Sequence, residues 1–246
     1  MNLTPANPLA ANPASPALSP GTQVLAACRA EGRAALIGYL PVGFPSVEVS
    51  IEAMVAMVRA GADIIEVGIP YSDPLMDGPL IQRATEAALE GGSRVDDVFT
   101  AVRAIADAGA AAYVMTYWNL VLKRGVERFA ADLAAAGGSG LITPDLIPDE
   151  AGEWLAASDA HGLDRVFLVA PSSTPERLTV ATGACRGFVY AASTMGVTGT
   201  RETVGSAAQD VVRRTREVTD VPVCVGLGVS TRAQAADVAG FADGVI

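Results

Sequence analysis

Histidine is nearly absent: one, His161, stands in 246 residues. Metal sites built on several imidazoles, and any triad that needs two of them, are excluded. His161 falls in a polar helix-to-strand turn, where an exposed structural role is expected. Cysteine is scarce too. Cys28, Cys185 and Cys224 are odd in number and lack metal-ligand spacing. Cys185 and Cys224 adjoin or lie inside apolar runs, which makes them inert core thiols. Basic residues are outnumbered 17 to 27, for a net charge of −10. That argues against a duplex-binding face, which demands clustered Lys and Arg, and it leaves any bound phosphate to backbone amides. Long apolar runs and a basic leader segment are also missing, so neither a membrane span nor a signal peptide is expected.

What is present is a large stock of core residues. Half of the chain is hydrophobic, chiefly Ala, Val, Leu and Ile, with aromatics at only 5% and charged residues at 18%. That mixture suits parallel strands wrapped by helices, and the length matches a single α/β barrel of about 250 residues. Residues 1–21 hold five prolines and no charge. They read as a disordered Pro/Ala-rich tail ahead of a barrel over 22–246, and a reduced, cytoplasmic protein is the expectation.

Beyond the tail, strand-length apolar runs alternate with helical periodicity. Strands are predicted at 34–40, 63–67, 111–116, 139–143, 164–169, 187–192, 221–225 and 243–246. Helices are predicted near 47–60, 79–107 in two pieces, 123–136, 149–160, 175–182, 203–217 and 231–239. Eight strands, each reached through a helix, imply a closed (β/α)₈ TIM barrel rather than an open doubly wound sheet. The dinucleotide glycine fingerprint is missing after the first strand, which weakens the open sheet further. No helix follows the eighth strand. Such a helix would bury about six apolar side chains at about 1.5–3 kcal/mol each, so the natural chain is expected to continue past Ile246, leaving this barrel C-terminally incomplete.

Active sites of such barrels lie at the C-terminal ends of the strands. The second strand end is the richest in chemistry. Glu66 is an acid inside an apolar strand, sharing one face with Ile64 while Ile65 and Val67 take the other. A carboxyl facing a barrel interior has a raised pKa and is fitted to move protons near neutrality. The competing role is a structural carboxylate paired with a buried Arg, but no basic residue lies at neighbouring strand ends. Asp77 precedes Gly-Pro at a helix start, where a site residue and an N-cap are equally well served. Asp73 shapes a turn. Gly196-Val197-Thr198-Gly199-Thr200 and Gly226-Leu227-Gly228-Val229-Ser230 follow the sixth and seventh strands. There, glycine amides and a helix N-terminus can receive a phosphate; tight turns without a ligand are the alternative.

The segment EVGIPYSDPLMDGPLIQ (66–82) resembles the signature of the tryptophan synthase alpha chain family. Gly38-Tyr39-Leu40-Pro41, Met115-Thr116-Tyr117-Trp118-Asn119, Pro144-Asp145-Leu146-Ile147-Pro148, Tyr190 and the two glycine loops extend the match over about residues 33–246. The resemblance implies a lyase of tryptophan biosynthesis that cleaves indole-3-glycerol phosphate by a retro-aldol reaction. It makes Glu66 the acid–base at the indole ring carbon and Asp77 the partner of the indole N–H. Tyr190 would orient substrate or carboxylate, while Tyr39, Ile81, Met115 and Ile142 would wall the indole pocket. Gly199 and Gly228 would donate amides to phosphate, and Thr198 would close a lid onto Asp77. It implies no cofactor in this chain. It also implies a beta-chain partner carrying pyridoxal phosphate in an alpha2-beta2 heterotetramer, docked on loops 70–77 and 144–148 and on the lid.

Two departures accompany the resemblance. Ser193-Thr194-Met195 lacks the basic residue often found early in the family's lid, and the family's Gly-Ser phosphate contact would lie beyond Ile246. Metal-dependent sugar-phosphate epimerases need histidines that this chain lacks, and phosphoribosyl isomerases want an Asp where Gly38-Tyr39-Leu40 stands. A non-catalytic activator of a beta chain and a stand-alone indole-releasing lyase remain as alternatives.

Overall fold

A computed structural model describes residues 18–192, 205–226 and 228–246. The elements in chain order are α1 Pro20–Ala30, β1 Ala35–Pro41, α2 Val47–Arg59, β2 Ile64–Gly68, α3 Pro79–Glu90, α4 Asp97–Asp107 and β3 Ala111–Met115. There follow α5 Trp118–Arg124, α6 Val126–Ala135, β4 Gly140–Ile142, a 3₁₀ turn Pro148–Glu150, α7 Gly152–Ala160, β5 Asp164–Val166 and β6 Leu168–Val169. The chain closes with α8 Pro175–Ala184, β7 Val189–Ala192, α9 Gly205–Arg216, β8 Val223–Gly226, α10 Arg232–Ala239 and β9 Gly244–Val245.

The sheet runs β5-β4-β3-β2-β1-β9-β8-β7-β6, with every strand pair parallel. Its two ends, β5 and β6, are halves of the single predicted strand 164–169, interrupted only at Phe167. The first half pairs with β4 and the second with β7. At the switch, Thr143 N donates to Val166 O and Tyr190 N to Phe167 O. Counted as one strand, the pair brings the ring to eight, the TIM-barrel architecture that the alternating pattern implies.

Period two sorts the side chains as the sequence demands. Ile65, Val67, Ala112, Val114, Val223 and Val225 face outward into the layer beneath the helices. Ile37, Ile64, Tyr113, Ile142, Val166, Phe188, Tyr190 and Cys224 fill the interior. Helices dock by apolar stripes at i, i+3, i+4 and i+7; on α4 these are Val98, Ala101, Val102 and Ile105, all fully buried. The larger of those side chains each contribute about 1.5–3 kcal/mol by leaving water. Ser46, Thr174 and Thr231 cap α2, α8 and α10 with side-chain oxygens, the last in a capping box with Gln234.

Two helices lie outside the predicted set: α5, nearly all of it ahead of the predicted start at 123, and α1. Helix α1 starts at Pro20, so the tail boundary placed after residue 21 falls inside a helix. Residues 1–17 lie outside the described residues. Leu25 and Cys28 of α1 join the interior cluster with Ala35, Ile37 and Ile64, so this helix closes the N-terminal end of the barrel. Gly21 is needed there, because a Cβ would run into the Tyr113 ring. Its amide donates to Ser139 Oγ at 3.0 Å.

The scarce residues settle into packing positions. All three cysteines are free and buried, and burial pushes the Cys185 thiol up to about 12. His161 caps α7, half-buried rather than fully exposed, with Nε2 2.7 Å from Glu127 Oε1.

Candidate active site

Glu66 lies mid-strand in β2, between Tyr39 of β1 and Tyr113 of β3 in register. Its neighbours on the same face are Ile64 and Gly68, so the side chain enters the barrel. It is 2% exposed, and its Oε2 has no hydrogen-bond partner among the described residues. Burial, helped by the nearby Asp77 carboxylate, pushes its pKa up to about 8. A carboxyl with that value holds its proton at neutral pH and can surrender it to a substrate carbon. The alternative of a structural carboxylate requires a cation, and none of the ion pairs among the described residues involves Glu66.

Asp77 comes from the loop between β2 and α3. It is nearly buried, and desolvation raises its pKa. The N-cap of α3 is Gly78, with no side-chain cap bond, so Asp77 does not cap the helix. Its carbonyl accepts from Gln82 Nε2 at 2.8 Å, which ties the loop to the first turn of α3 and leaves the carboxylate to the cavity. Asp73 takes the expected turn role, accepting from Ser72 Oγ at 2.6 Å.

Both acids line one cavity of about 520 Å³ at the C-terminal ends of the strands. Tyr39, Ile81, Met115, Tyr190 and Gly228 line it as well. Two glycines make room for the two tyrosines. A Cβ on Gly68 would lie 2.5 Å from the Tyr39 hydroxyl, and one on Gly226 would overlap the Tyr190 hydroxyl. Gly228 has φ of +105°, a conformation that side chains avoid. Ile142 departs from expectation. It is fully buried in the interior cluster and is not among the described lining residues, because β4 ends at Ile142 and its side chain packs into the barrel filling. Thr198, Gly199, the lid residues Ser193, Thr194 and Met195, and Leu227 lie outside the described residues.

The loop that carries Asp77 is held from below by residues whose role the sequence reading missed. The Tyr117 hydroxyl accepts from the amides of Leu75 and Met76, both at 3.0 Å. Its ring packs on Tyr71 with centroids 5.0 Å apart. Asn119 Nδ2 reaches the Tyr71 hydroxyl at 3.4 Å, and the Asp145 carboxylate receives the Trp118 amide at 2.9 Å. The Met-Thr-Tyr-Trp-Asn and Pro-Asp-Leu-Ile-Pro segments thus act as a brace for the loop after β2. Tyr117, an aromatic just past a strand end, was the signal available for this. Arg83, Met76 and Ile246 also line the cavity; none of the three was singled out as a site residue from the linear sequence.

A parallel barrel that holds two pKa-raised carboxyls in a cavity at the C-terminal ends of its strands defines a TIM-barrel protein built for acid–base chemistry. The family model for the tryptophan synthase alpha chain matches residues 25–246, and the chain belongs to that family. It is 67% identical over 223 residues to the tryptophan synthase alpha chain of Mycobacterium avium, covering 91% of this chain and 82% of the relative. Against the alpha chain of Mycobacteroides abscessus it is 68% identical over 225 residues, covering 92% and 86%. A solved structure of Mycobacterium tuberculosis tryptophan synthase superposes with a TM-score of 0.90 at 65% identity, covering 94% of this chain and 88% of that one.

Proposed function

We propose that this chain is the alpha subunit of a tryptophan synthase, a lyase that splits indole-3-glycerol phosphate into indole and glyceraldehyde 3-phosphate. Family membership over nearly the whole chain supports the activity. One feature carries the assignment of residues: the buried Glu66 carboxyl, whose Oε2 has no hydrogen-bond partner among the described residues and whose pKa is pushed up to about 8, in the same cavity as Asp77.

In this reading Glu66 donates its proton to the indole ring carbon that bears the side chain. Positive charge develops on the ring nitrogen, and Asp77, hydrogen-bonded to the N–H, stabilises it. The Glu66 carboxylate then accepts the proton of the adjacent side-chain hydroxyl. The carbon–carbon bond breaks, its electrons return to the ring, and the aldehyde product forms. Tyr39, Ile81, Met115 and Tyr190 enclose the flat ring, and Gly228, with Gly199 and Thr198, serves the phosphate and lid side. Proton transfers alone complete the cycle, so this chain needs no cofactor of its own. Pyridoxal phosphate belongs to the partner beta chain in an alpha2-beta2 assembly.

The rim bears exposed apolar side chains suited to that partner, Leu75 at 70% and Leu80 at 69% exposure, with Ile147 beside the 3₁₀ turn. No helix among the described residues is long and apolar enough to cross a membrane, in keeping with a cytoplasmic biosynthetic enzyme. Indole release from indole-3-glycerol phosphate, measured with and without beta chain, tests the reading. The native chain is expected to turn over and Glu66→Gln to lose about 10²–10⁴-fold of that turnover. Undiminished turnover by Glu66→Gln would end the assignment of Glu66.

A further inference from the structure

On the reading that this cavity takes a phosphorylated substrate, we propose that Arg83 selects that substrate by charge. Arg83 lies in the second turn of α3, is exposed, and lines the same cavity as Glu66, Asp77, Gly228 and Ser230. It is the one Lys or Arg among the described lining residues.

Many guanidiniums of this chain are tied to carboxylates: Arg33 to Asp63, Arg124 to Asp96 and Asp132, Arg165 and Arg186 to Asp159, and Arg216 to Asp243. Arg59, Arg94, Arg103 and Arg232 are without an ion pair to any described residue, as is Arg83, but of these five Arg83 alone lines this cavity. Arg83 makes no ion pair with any described residue, although Asp77 shares its cavity and Glu86 follows one turn along its own helix. An un-neutralised guanidinium therefore stands at the cavity of a protein whose net charge is −10.

That placement answers a physical problem. An anion approaching this molecule is repelled by the net charge of −10 and, inside, by the Asp77 carboxylate. A local cation at the opening reverses the sign of the field where the ligand enters. The planar guanidinium also matches two phosphate oxygens at once, which an ammonium does not. Backbone amides alone do not supply this long-range term. Arg83 is exposed while Glu66 is buried, so its charge acts on binding and leaves the reacting carbon to the carboxyls. Binding that is equal in ground and transition states appears in KM and not in kcat.

The test is steady-state indole release by the chain assembled with its beta chain, for the native protein and for Arg83→Ala, Arg83→Lys and Arg83→Glu. Expected for Arg83→Ala are a KM about 10-fold higher, kcat within about twofold, and a flatter salt dependence of kcat/KM. Arg83→Lys restores most of the loss and Arg83→Glu deepens it, while unphosphorylated indole glycerol is handled equally by all four. A fall in kcat at unchanged KM, or an equal loss with the unphosphorylated substrate, overturns the proposal. Should the native assembly release no indole, the functional reading itself has failed. Calorimetric titration with glycerol 3-phosphate then decides Arg83 alone: weaker binding by Arg83→Ala supports the charge role, and equal binding refutes it.

Discussion

The interior of this barrel holds a buried carboxyl towards each end, and the two are treated in opposite ways. At the N-terminal end Asp164, 1% exposed, receives hydrogen bonds from the Ser19, Thr22 and Tyr113 hydroxyls, with Arg186 Nε 3.7 Å away. Towards the C-terminal end Glu66, 2% exposed, has an oxygen with no partner among the described residues and opens on a cavity. Burial raises the pKa of both, but at Asp164 the hydrogen bonds and Arg186 pull it back. A saturated carboxylate is a joint that seats helix α1 on the barrel floor. An unsaturated one costs stability and keeps its capacity for a ligand, so the difference separates structure from chemistry within one fold.

The sharpest way to break this comparison is to neutralise Glu66. Glu66→Gln is expected to lower turnover by about 10²–10⁴-fold, the usual worth of general acid–base help. Its unfolding should show the reverse of damage. The native carboxyl has its pKa raised from 4.5 to about 8, so the folded state binds this proton more tightly than the unfolded chain does. The resulting stability is fully present below pH 4.5 and is lost as pH rises towards 8. Denaturant titrations across that window should show the native protein losing a few kcal/mol relative to Glu66→Gln, since each tenfold difference in proton affinity between the folded and unfolded states is worth about 1.4 kcal/mol. A flat difference between the two proteins would mean that Glu66 is already ionised and paired.

Asp164→Ala should do the converse. Three hydroxyls lose their acceptor and Arg186 loses a neighbouring opposite charge, at a cost of about 3–5 kcal/mol, a large share of a domain's 5–15 kcal/mol or so. Turnover per folded molecule should hold. The measurement is a denaturant midpoint paired with active-site titration.

A finer contrast uses glycine. Gly187 has φ of +94°, and a Cβ there would lie 2.7 Å from Asp164 Oδ2, so Gly187→Ala should cost about 1–3 kcal/mol of stability. Gly68→Ala instead displaces the Tyr39 ring, and it should lower kcat/KM about tenfold while shifting the unfolding midpoint less. If both variants lose stability alike and retain activity, the two ends do not differ in kind.

The smallest effect is expected from Tyr117→Phe. It strips the acceptor from the Leu75 and Met76 amides, at about 1 kcal/mol, and loosens the loop that presents Asp77. Faster amide exchange at residues 75 and 76, with a few-fold loss of kcat, would register it.

Much of this was legible in the residue order. Alternation placed Glu66 on the inward face because strand side chains have a period of two, and the eight apolar runs predicted the ring to within a residue or two of most strand ends. Asp77 was visible only as one of two things. Capping depends on the dihedrals of Gly78 and on what the carboxylate can reach, neither of which residue order contains. Ile142 looked like a cavity wall because it ends a strand on the inward face, yet the packing of the interior buries it below. Helix α1 escaped notice because its few apolar residues, Val24, Leu25 and Cys28, follow a Pro-rich stretch and make sense only against the barrel floor.

The order of residues by itself determined the fold class, the face on which the reactive carboxyl stands and the family to which the chain belongs. These are set by local periodicity and contiguous motifs. Tertiary structure alone decided which buried carboxyl is satisfied and which is left open, that Tyr117 braces the Asp77 loop, and that Arg83 stands at the cavity without an ion pair to any described residue. Each of those depends on groups distant in the chain meeting in space, where desolvation and hydrogen bonding, not sequence neighbours, set the energy.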